Sequence, residues 1–596
     1  MNFIQSTIQL LEVGKARVIV RIVPLVATLL IVGGAYNMIV YKGLPDAQSM
    51  DNAQLARQIA THHGFTTYVL RPQALAQLRD YASTANLTTN GAGELFPAAT
   101  FPPGTPRFIP DTYNAPGYPS LLAAYFMLVR PDFNQTPDQI IAQRMFLGDR
   151  WIPFLNQFFM LLTAGLVFAL GYRLFDDRVA WVSLIAFLGT HLVWSYTLTA
   201  LSTSVLIFLV TGALMCVLEI YSVSESAFLN EDYPFRGAWA WGLAAMLLLA
   251  AACLTRLHLV VLLIPIFALL LLMPRPSIAL ALLLSLAVIA FMAPWFVHEY
   301  RISGNPLGSN FPLFLAGEGE YAGNQIYCAT SIPSYDPALK DATTKELQGI
   351  LWNFQHAWTL MGSCPLVLFF VASLLHSFKR GRTRAFQWLL VGCAIVLVLA
   401  NNLAWARPEE VSQWNVLVLL LPCVMVIGAA YFFILLDRLN LPVPLLNSVI
   451  VAGVLALAIF PLFAALTSPV RAYYAYPPYF PPYLRVFSTL AKPDEWITTD
   501  IPWATAWYGN HPSLWLPDAI ADFRNFQDNV NPSGLIFLSP ESSSQPLSTF
   551  TTGEYKDWLT FVTLQPPPPN FPLGEHFTTP AGTVDYTLWS DRPRWQ

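Results

Sequence analysis

A helix needs about 20 consecutive, mostly apolar residues to cross a bilayer, and this chain holds eleven such runs. They lie at 18–40, 151–170, 180–197, 199–221, 238–255, 257–273, 277–296, 361–378, 385–403, 415–436 and 444–466. A water-facing helix carries a polar side, which most of these runs lack. Composition agrees: 55% of residues are hydrophobic and 11% charged, whereas ordinary globular domains are about a quarter charged. The predicted fold is a polytopic α-helical membrane protein with about 11 transmembrane helices. A net charge of -4 without any basic stripe gives nothing to hold the phosphates of a nucleic acid. The chain is far too apolar to be disordered.

Lys and Arg concentrate in short cytoplasmic loops. With the N-terminus inside, the short inner connectors hold eleven of the 32 basic residues, among them Arg173, Arg178, Arg275, Lys379, Arg380, Arg382, Arg384 and Arg438. Eleven crossings then place the C-terminus outside. The first run is read as a retained span, because Tyr41-Lys42 stand where a small-residue cleavage site would follow a signal peptide. The expected location is the inner (plasma) membrane, with a cytoplasmic N-terminus and a periplasmic or extracellular C-terminal domain. Residues 1–466 form the membrane domain and include outer loops 41–150 and 297–360. Residues 467–485 are an aromatic and proline-rich interfacial linker, and 486–596 form an outer α/β domain. Chemistry is expected on the outer face. Nucleotides are scarce there, so an activated substrate must arrive already attached to a lipid.

In the first outer segment, Asp51 or Ser49 can cap a helix whose apolar side is Ala53, Leu55, Ala56, Ile59 and Ala60, with Gly64 as its stop. Asp46 and Asp51 stand at one end of it, and Arg57, His62 and His63 further along. Asp111 precedes a short apolar helix near 120–129, too short to span and expected to be re-entrant or interfacial. The second outer segment opens on Trp295 at the interface, followed at once by His298, Glu299 and Arg301. The six cysteines show no metal-ligand spacing of the C-x-x-C or H-E-x-x-H kind. Cys328 and Cys364 both fall on the outer side, where a disulfide and two free thiols are equally open readings.

These segments resemble the GT-C superfamily of membrane glycosyltransferases, in particular its bacterial branch similar to protein O-mannosyltransferases and aminoarabinose transferases (glycosyltransferase family 39-like). AQLARQI at 53–59 is similar to the family's first-loop helix, and APGYPSLL at 115–122 to its P-P-x-Y-P-x-L-L segment. The long run at 150–178 and the exit PWFVHEYRISGNP at 294–306 follow in the family's order. The family's first-loop acid sits about eight residues before Ala56, at Gln48, and Asp46 and Asp51 flank that position. Thr203 occupies the place of an acid that many relatives carry before the fourth span.

The resemblance implies transfer of a sugar from a polyprenyl-phosphate donor to a glycan, lipid or protein acceptor, with inversion. Asp51 is the preferred general base and Asp46 the second choice. Asp111 is a second acid for the acceptor or a metal, with a turn-forming role as the simpler account. Arg57, His258, His298, Arg301 and Tyr118 are the candidate substrate-binding residues, the basic ones toward the lipid phosphate; headgroup anchoring is the competing role for a juxtamembrane Arg. No cofactor is required, and a divalent metal is left open without being indicated. Two rivals remain: a non-catalytic envelope or assembly protein on the same scaffold, and a transporter of a lipid-linked substrate.

The C-terminal segment alternates short strands, EWITTD (495–500), SLWLP (513–517), GLIFL (534–538) and VDYTLWS (584–590), with helical stretches near 502, 518–528 and 553–562. Its aromatic run WATAWYGNHPSLWLP can stack on sugar rings or pack a core, with core packing favoured.

Overall fold

The computed structural model describes residues 15–84, 108–230, 236–309, 328, 330, 339–404, 415–440, 443–467, 479–551, 556–579 and 586–595. The membrane half is built from α1 (Lys15–Ile39), α2 (Ala47–Ala60), α3 (Pro72–Thr84), α4 (Gly117–Val129), α5 (Pro137–Gln143), α6 (Leu147–Leu174), α7 (Asp177–Gly189), α8 (His191–Thr197), α9 (Thr203–Leu229) and α10 (Arg236–Thr255). It continues through α11 (Leu263–Leu272), α12 (Ile278–Ser303), α13 (Leu339–Leu360), α14 (Pro365–Ser373), α15 (Gly381–Ala404), α16 (Leu421–Arg438) and α17 (Pro444–Thr467).

Each of the eleven predicted runs coincides with helix, but their lengths differ. Among the described residues seven helices are long and apolar enough to cross a membrane, or eight if α7 and α8, bent by 54° at their junction, form one span. The run at 361–378 yields only the nine residues of α14, about 14 Å of helix at 1.5 Å per residue, short of a span. The run at 257–273 opens as a 3₁₀ helix, Leu257–Leu262, before α11. The chain is an integral, multi-pass membrane protein. Helices α9 and α16 form the middle of the bundle, 78% and 83% buried over their apolar windows; α17, at 11%, presents nearly its whole girth outward. Gly428 lets α16 approach α14, since a Cβ there would lie 2.0 Å from Leu366 O.

Helix α2 starts three residues earlier than a Ser49 cap, and five earlier than an Asp51 cap, suggested. Asp46 is its N-cap, accepting the Ser49 N–H at 2.7 Å, and Asp51 lies inside the helix. It ends at Thr61, followed by His62 and Gly64 at φ 66° and 74°.

The other half is organised by a six-stranded sheet. Its strands are β2 (Val69–Leu70), β4 (Trp496–Thr499), β5 (Ser513–Trp515), β6 (Ser533–Leu538), β7 (Glu575–Thr578) and β8 (Thr587–Ser590), in the order β2-β5-β4-β6-β8-β7. Strands β2, β5, β4 and β6 run parallel, with Val69 opposite Ser513, and β8 and β7 close the sheet antiparallel. Every residue of β4, β5 and β6 is buried, as expected of parallel strands covered on both faces. A separate ladder pairs β1 (Thr66–Thr67) with β3 (Ile109–Pro110).

The sheet thus draws its edge strand from residues 69–70, outside the 486–596 range expected to form it. The stretch expected to lack regular structure up to 485 instead enters a helix, α18 (Pro481–Ser488); residues 468–478 lie outside the described residues. Cys328 and Cys364 are both buried, and no disulfide joins the two.

Candidate functional site

Two polar centres flank α2. In the first, Asp51 is fully buried and heavily bonded. Arg71 Nη2 lies 2.6 Å from Oδ2, Asn114 Nδ2 donates to Oδ2 at 2.8 Å, and Gln54 Nε2 donates to Oδ1 at 2.9 Å. The same Asn114 nitrogen donates to Asp111 Oδ2 at 2.7 Å, and Tyr113 N to Asp111 Oδ1 at 2.9 Å. Asp51 and Asp111 are therefore brought together through one amide. The Arg71 guanidinium lies 4.1 Å from the centre of the Tyr113 ring. Burial, and then the charge of Asp51, push the Asp111 carboxyl up, while Arg71 opposes them.

Glu299 completes this centre from the last turn of α12. It is 2% exposed, and among the described residues neither carboxylate oxygen has a hydrogen-bond partner. The loop over it needs Gly308, at φ 69°, since a Cβ would fall 2.1 Å from Thr112 O and 2.9 Å from Glu299 Oε2.

The second centre starts at Asp46, which is only partly buried. Its carboxylate accepts from Ser49 N at Oδ1 and Ser49 Oγ at Oδ2, both at 2.7 Å. Burial pushes its pKa up from 3.8 to about 6, against the lowering effect of these hydrogen bonds. Ser49 Oγ also accepts from Ala200 N at 3.0 Å, and Asn52 donates to Ala200 O at 3.0 Å. The turn so held leads into Thr203, whose hydroxyl lies 3.4 Å from Arg256 Nη2. Arg256 is buried at the end of α10, and His258 follows two residues later, partly buried. Tyr118 is buried in α4 and donates to Asn156 at 3.3 Å.

The other expected residues lie elsewhere. His298 and Arg301 are exposed on α12, on the side opposite to buried Glu299. Arg57 is 3% exposed and points away from both centres, donating to the carbonyls of Ala506 and Trp507 at 2.6 and 2.8 Å. Arg71, Asn114, Gln54 and Arg256 were not singled out by sequence. Of these, only Asn114 carried a signal, its spacing three residues after Asp111. Among the described residues no group of three or more His, Cys, Asp or Glu side chains is arranged to hold a metal.

A helix bundle that carries a C-terminal α/β sheet, matched over nearly its whole length by solved structures, makes this a polytopic membrane protein of the GT-C fold. The solved structures it resembles cover nearly the whole chain. ArnT from Cupriavidus metallidurans in the apo state matches with a TM-score of 0.52 at 12% identity, over 97% of this chain and 98% of that one. The same protein bound to undecaprenyl phosphate matches at 0.51 and 12%, over 96% and 98%. The archaeal oligosaccharyltransferase AglB from Archaeoglobus fulgidus, in complex with an inhibitory peptide and a dolichol-phosphate, matches at 0.52 and 11%, over 95% and 74%. No protein-family model matches the sequence, and comparison with curated proteins finds no significant match.

Proposed function

We propose that the chain is an integral membrane glycosyltransferase that moves a sugar from a polyprenyl-phosphate donor to an acceptor on the outer face, with Asp46 as general base. The likeness in fold to proteins solved with undecaprenyl phosphate and dolichol-phosphate supports the donor class. The difference between the two acids of α2 supports Asp46 over Asp51. A base must be reachable and must titrate near the working pH. Asp46 is partly open and, among the described residues, its carboxylate bonds only Ser49, with its pKa raised to about 6. Asp51 is enclosed by Arg71, Gln54 and Asn114, which occupy the lone pairs a base needs. Asp51 with Asp111 then shapes the loop around the acceptor.

In the proposed step the ionised Asp46 takes the proton of the acceptor hydroxyl. The acceptor oxygen forms its bond to the anomeric carbon as the bond from that carbon to the lipid-phosphate oxygen breaks. The electron pair leaves with the phosphate, and configuration inverts. A phosphate leaving group needs little acid help, so one carboxylate suffices, but its charge calls for a nearby cation. Arg256 is the candidate that shares a turn with Asp46, through Ala200 and Thr203. His298 and Arg301, at the exposed end of α12, fit headgroup contact better.

The test compares Asp46→Asn with Asp51→Asn in the purified full chain, reading release of polyprenyl phosphate from a labelled lipid-linked sugar. Asp46→Asn is expected to lose at least a hundredfold in turnover while donor binding persists. Full turnover in Asp46→Asn with loss only in Asp51→Asn would return the base to Asp51.

A further inference from the structure

The aromatic run of the C-terminal segment offers no face to a sugar: Trp503, Trp507, Tyr508 and Trp515 are all buried. The turn Thr505–Gly509, one turn of π-helix following α19 (Pro502–Ala504), is instead inserted between the outer-loop helices. Arg57, on α2, holds it from one side. Besides its two hydrogen bonds to Ala506 O and Trp507 O, its guanidinium carbon lies 5.2 Å from the centre of the Trp507 ring and 5.9 Å from that of Phe133. Asp149, in the first turn of α6, holds it from the other side. Trp507 Nε1 donates to Oδ1 at 2.7 Å and Tyr508 Oη to Oδ2 at 3.0 Å, while Tyr41 Oη bonds the Asp149 carbonyl at 3.0 Å.

Ala506 O and Trp507 O lie at the C-terminal end of this turn, where helical donors run out, and Arg57 bonds both. Arg57 and Asp149 both contact one indole, and each of these buried polar groups is hydrogen-bonded where an unbonded one would be costly. Phe126 stacks on the same indole at 6.3 Å, Phe146 meets it edge-on at 5.4 Å, and Gly148 leaves the room it needs, since a Cβ there would lie 2.8 Å from Trp507.

A second attachment reaches α2 from the opposite flank of Asp51. Strand β2 pairs with β5 of the same outer sheet. Just before β2, Thr67 Oγ1 accepts from Gln54 at 2.8 Å, and Tyr68 N donates to Gln54 Oε1 at 3.1 Å. Just after it, Arg71 reaches Asp51. A 14-residue helix is marginal on its own, so its placement comes from these contacts.

We infer that the C-terminal sheet is a working part of the transfer centre: the Thr505–Gly509 turn, gripped by Arg57 and Asp149, positions the helix that bears Asp46 and Asp51. Arg57, Trp507 and Tyr508 are positioning residues, and the catalytic consequence rests on the function proposed above.

The test uses the full chain in detergent and two variants, Arg57→Met and the milder Tyr508→Phe. Hydrogen exchange is read over residues 47–60, with α9 as internal reference. Exchange in α2 is expected to speed up about tenfold in Arg57→Met, and less in Tyr508→Phe, with α9 unchanged. Turnover of a lipid-linked sugar is expected to fall by a similar factor at unchanged KM, and Arg57→Lys to restore part of both. Unchanged α2 exchange in both variants overturns the inference. So does faster exchange without any fall in turnover. Weaker binding of undecaprenyl phosphate with unaltered α2 exchange would make Arg57 a phosphate ligand instead. If wild-type protein shows no turnover, the proposed function fails and the exchange data alone decide the positioning role.

Discussion

Asp46 and Asp51 sit five positions apart on one helix, and their surroundings give them opposite characters. Asp46, raised to about 6, is protonated at pH 5 and ionised at pH 7. Turnover is therefore expected to rise with pH through about 6 and then level off, a limb absent from any residual rate of Asp46→Asn. The same shift costs stability as pH rises from about 4 to 6, because the unfolded chain ionises this group first, and the cost is constant above that. Asp51 depends on its partner. Arg71→Met would leave a buried carboxylate without its counter-ion and is expected to destabilise by about 3–5 kcal/mol. Adding Asp51→Asn should recover part of that loss, and thermal melts of both variants in detergent check it. The acids themselves were legible in sequence because carboxylates are rare in so apolar a chain. Arg71 was not, and Asn114 only through its spacing from Asp111, since both meet Asp51 through contacts distant in sequence. Arg57 was read toward a phosphate because a loop arginine next to a membrane gives the same local signal for a phosphate, a headgroup or a carbonyl, and no sequence pattern shows its bonds to Ala506 O and Trp507 O.

At the level of elements, the apolar runs were legible because a span imposes its length on the sequence. What periodicity did not show was where a run breaks. The 54° bend between α7 and α8 and the nine-residue α14 lie within uniformly apolar sequence. The start of α2 was displaced because Asp46, Ser49 and Asp51 are all good caps, and only geometry chooses Asp46. The tight contact of α14 with α16 gives a direct check. Gly428→Ala must push Leu366 O away and is expected to cost about 1–3 kcal/mol, measured as a lowered temperature of aggregation in detergent.

Across the whole molecule, the loops around α2 and the C-terminal sheet form one assembly beside the helix bundle. The alternation of strand and helix beyond residue 490 was visible as an α/β pattern. The two-residue β2 was not, being shorter than any pattern can register, although it joins the first outer loop to the sheet. The far end of that sheet is fastened by Arg594, which lies 2.5 and 3.2 Å from the two Glu495 oxygens. Burial alone would raise the Glu495 pKa, but hydrogen bonds from Arg594 and Lys492 outweigh it and hold it at about 2. The stabilisation this gives is present above about 4.5 and lost as pH falls toward 2. Glu495→Gln is thus expected to lower the melting temperature at pH 7 and to have progressively less effect as pH falls toward 2. The central claim is that this scaffold transfers a sugar and releases its lipid phosphate, and counting product tests it most directly. Purified protein in vesicles, given a doubly labelled polyprenyl-phosphate sugar and an acceptor pool, is predicted to release one polyprenyl phosphate for each sugar that appears, inverted, on acceptor. Sugar that stays on its lipid, whether merely bound or moved between leaflets, would contradict it.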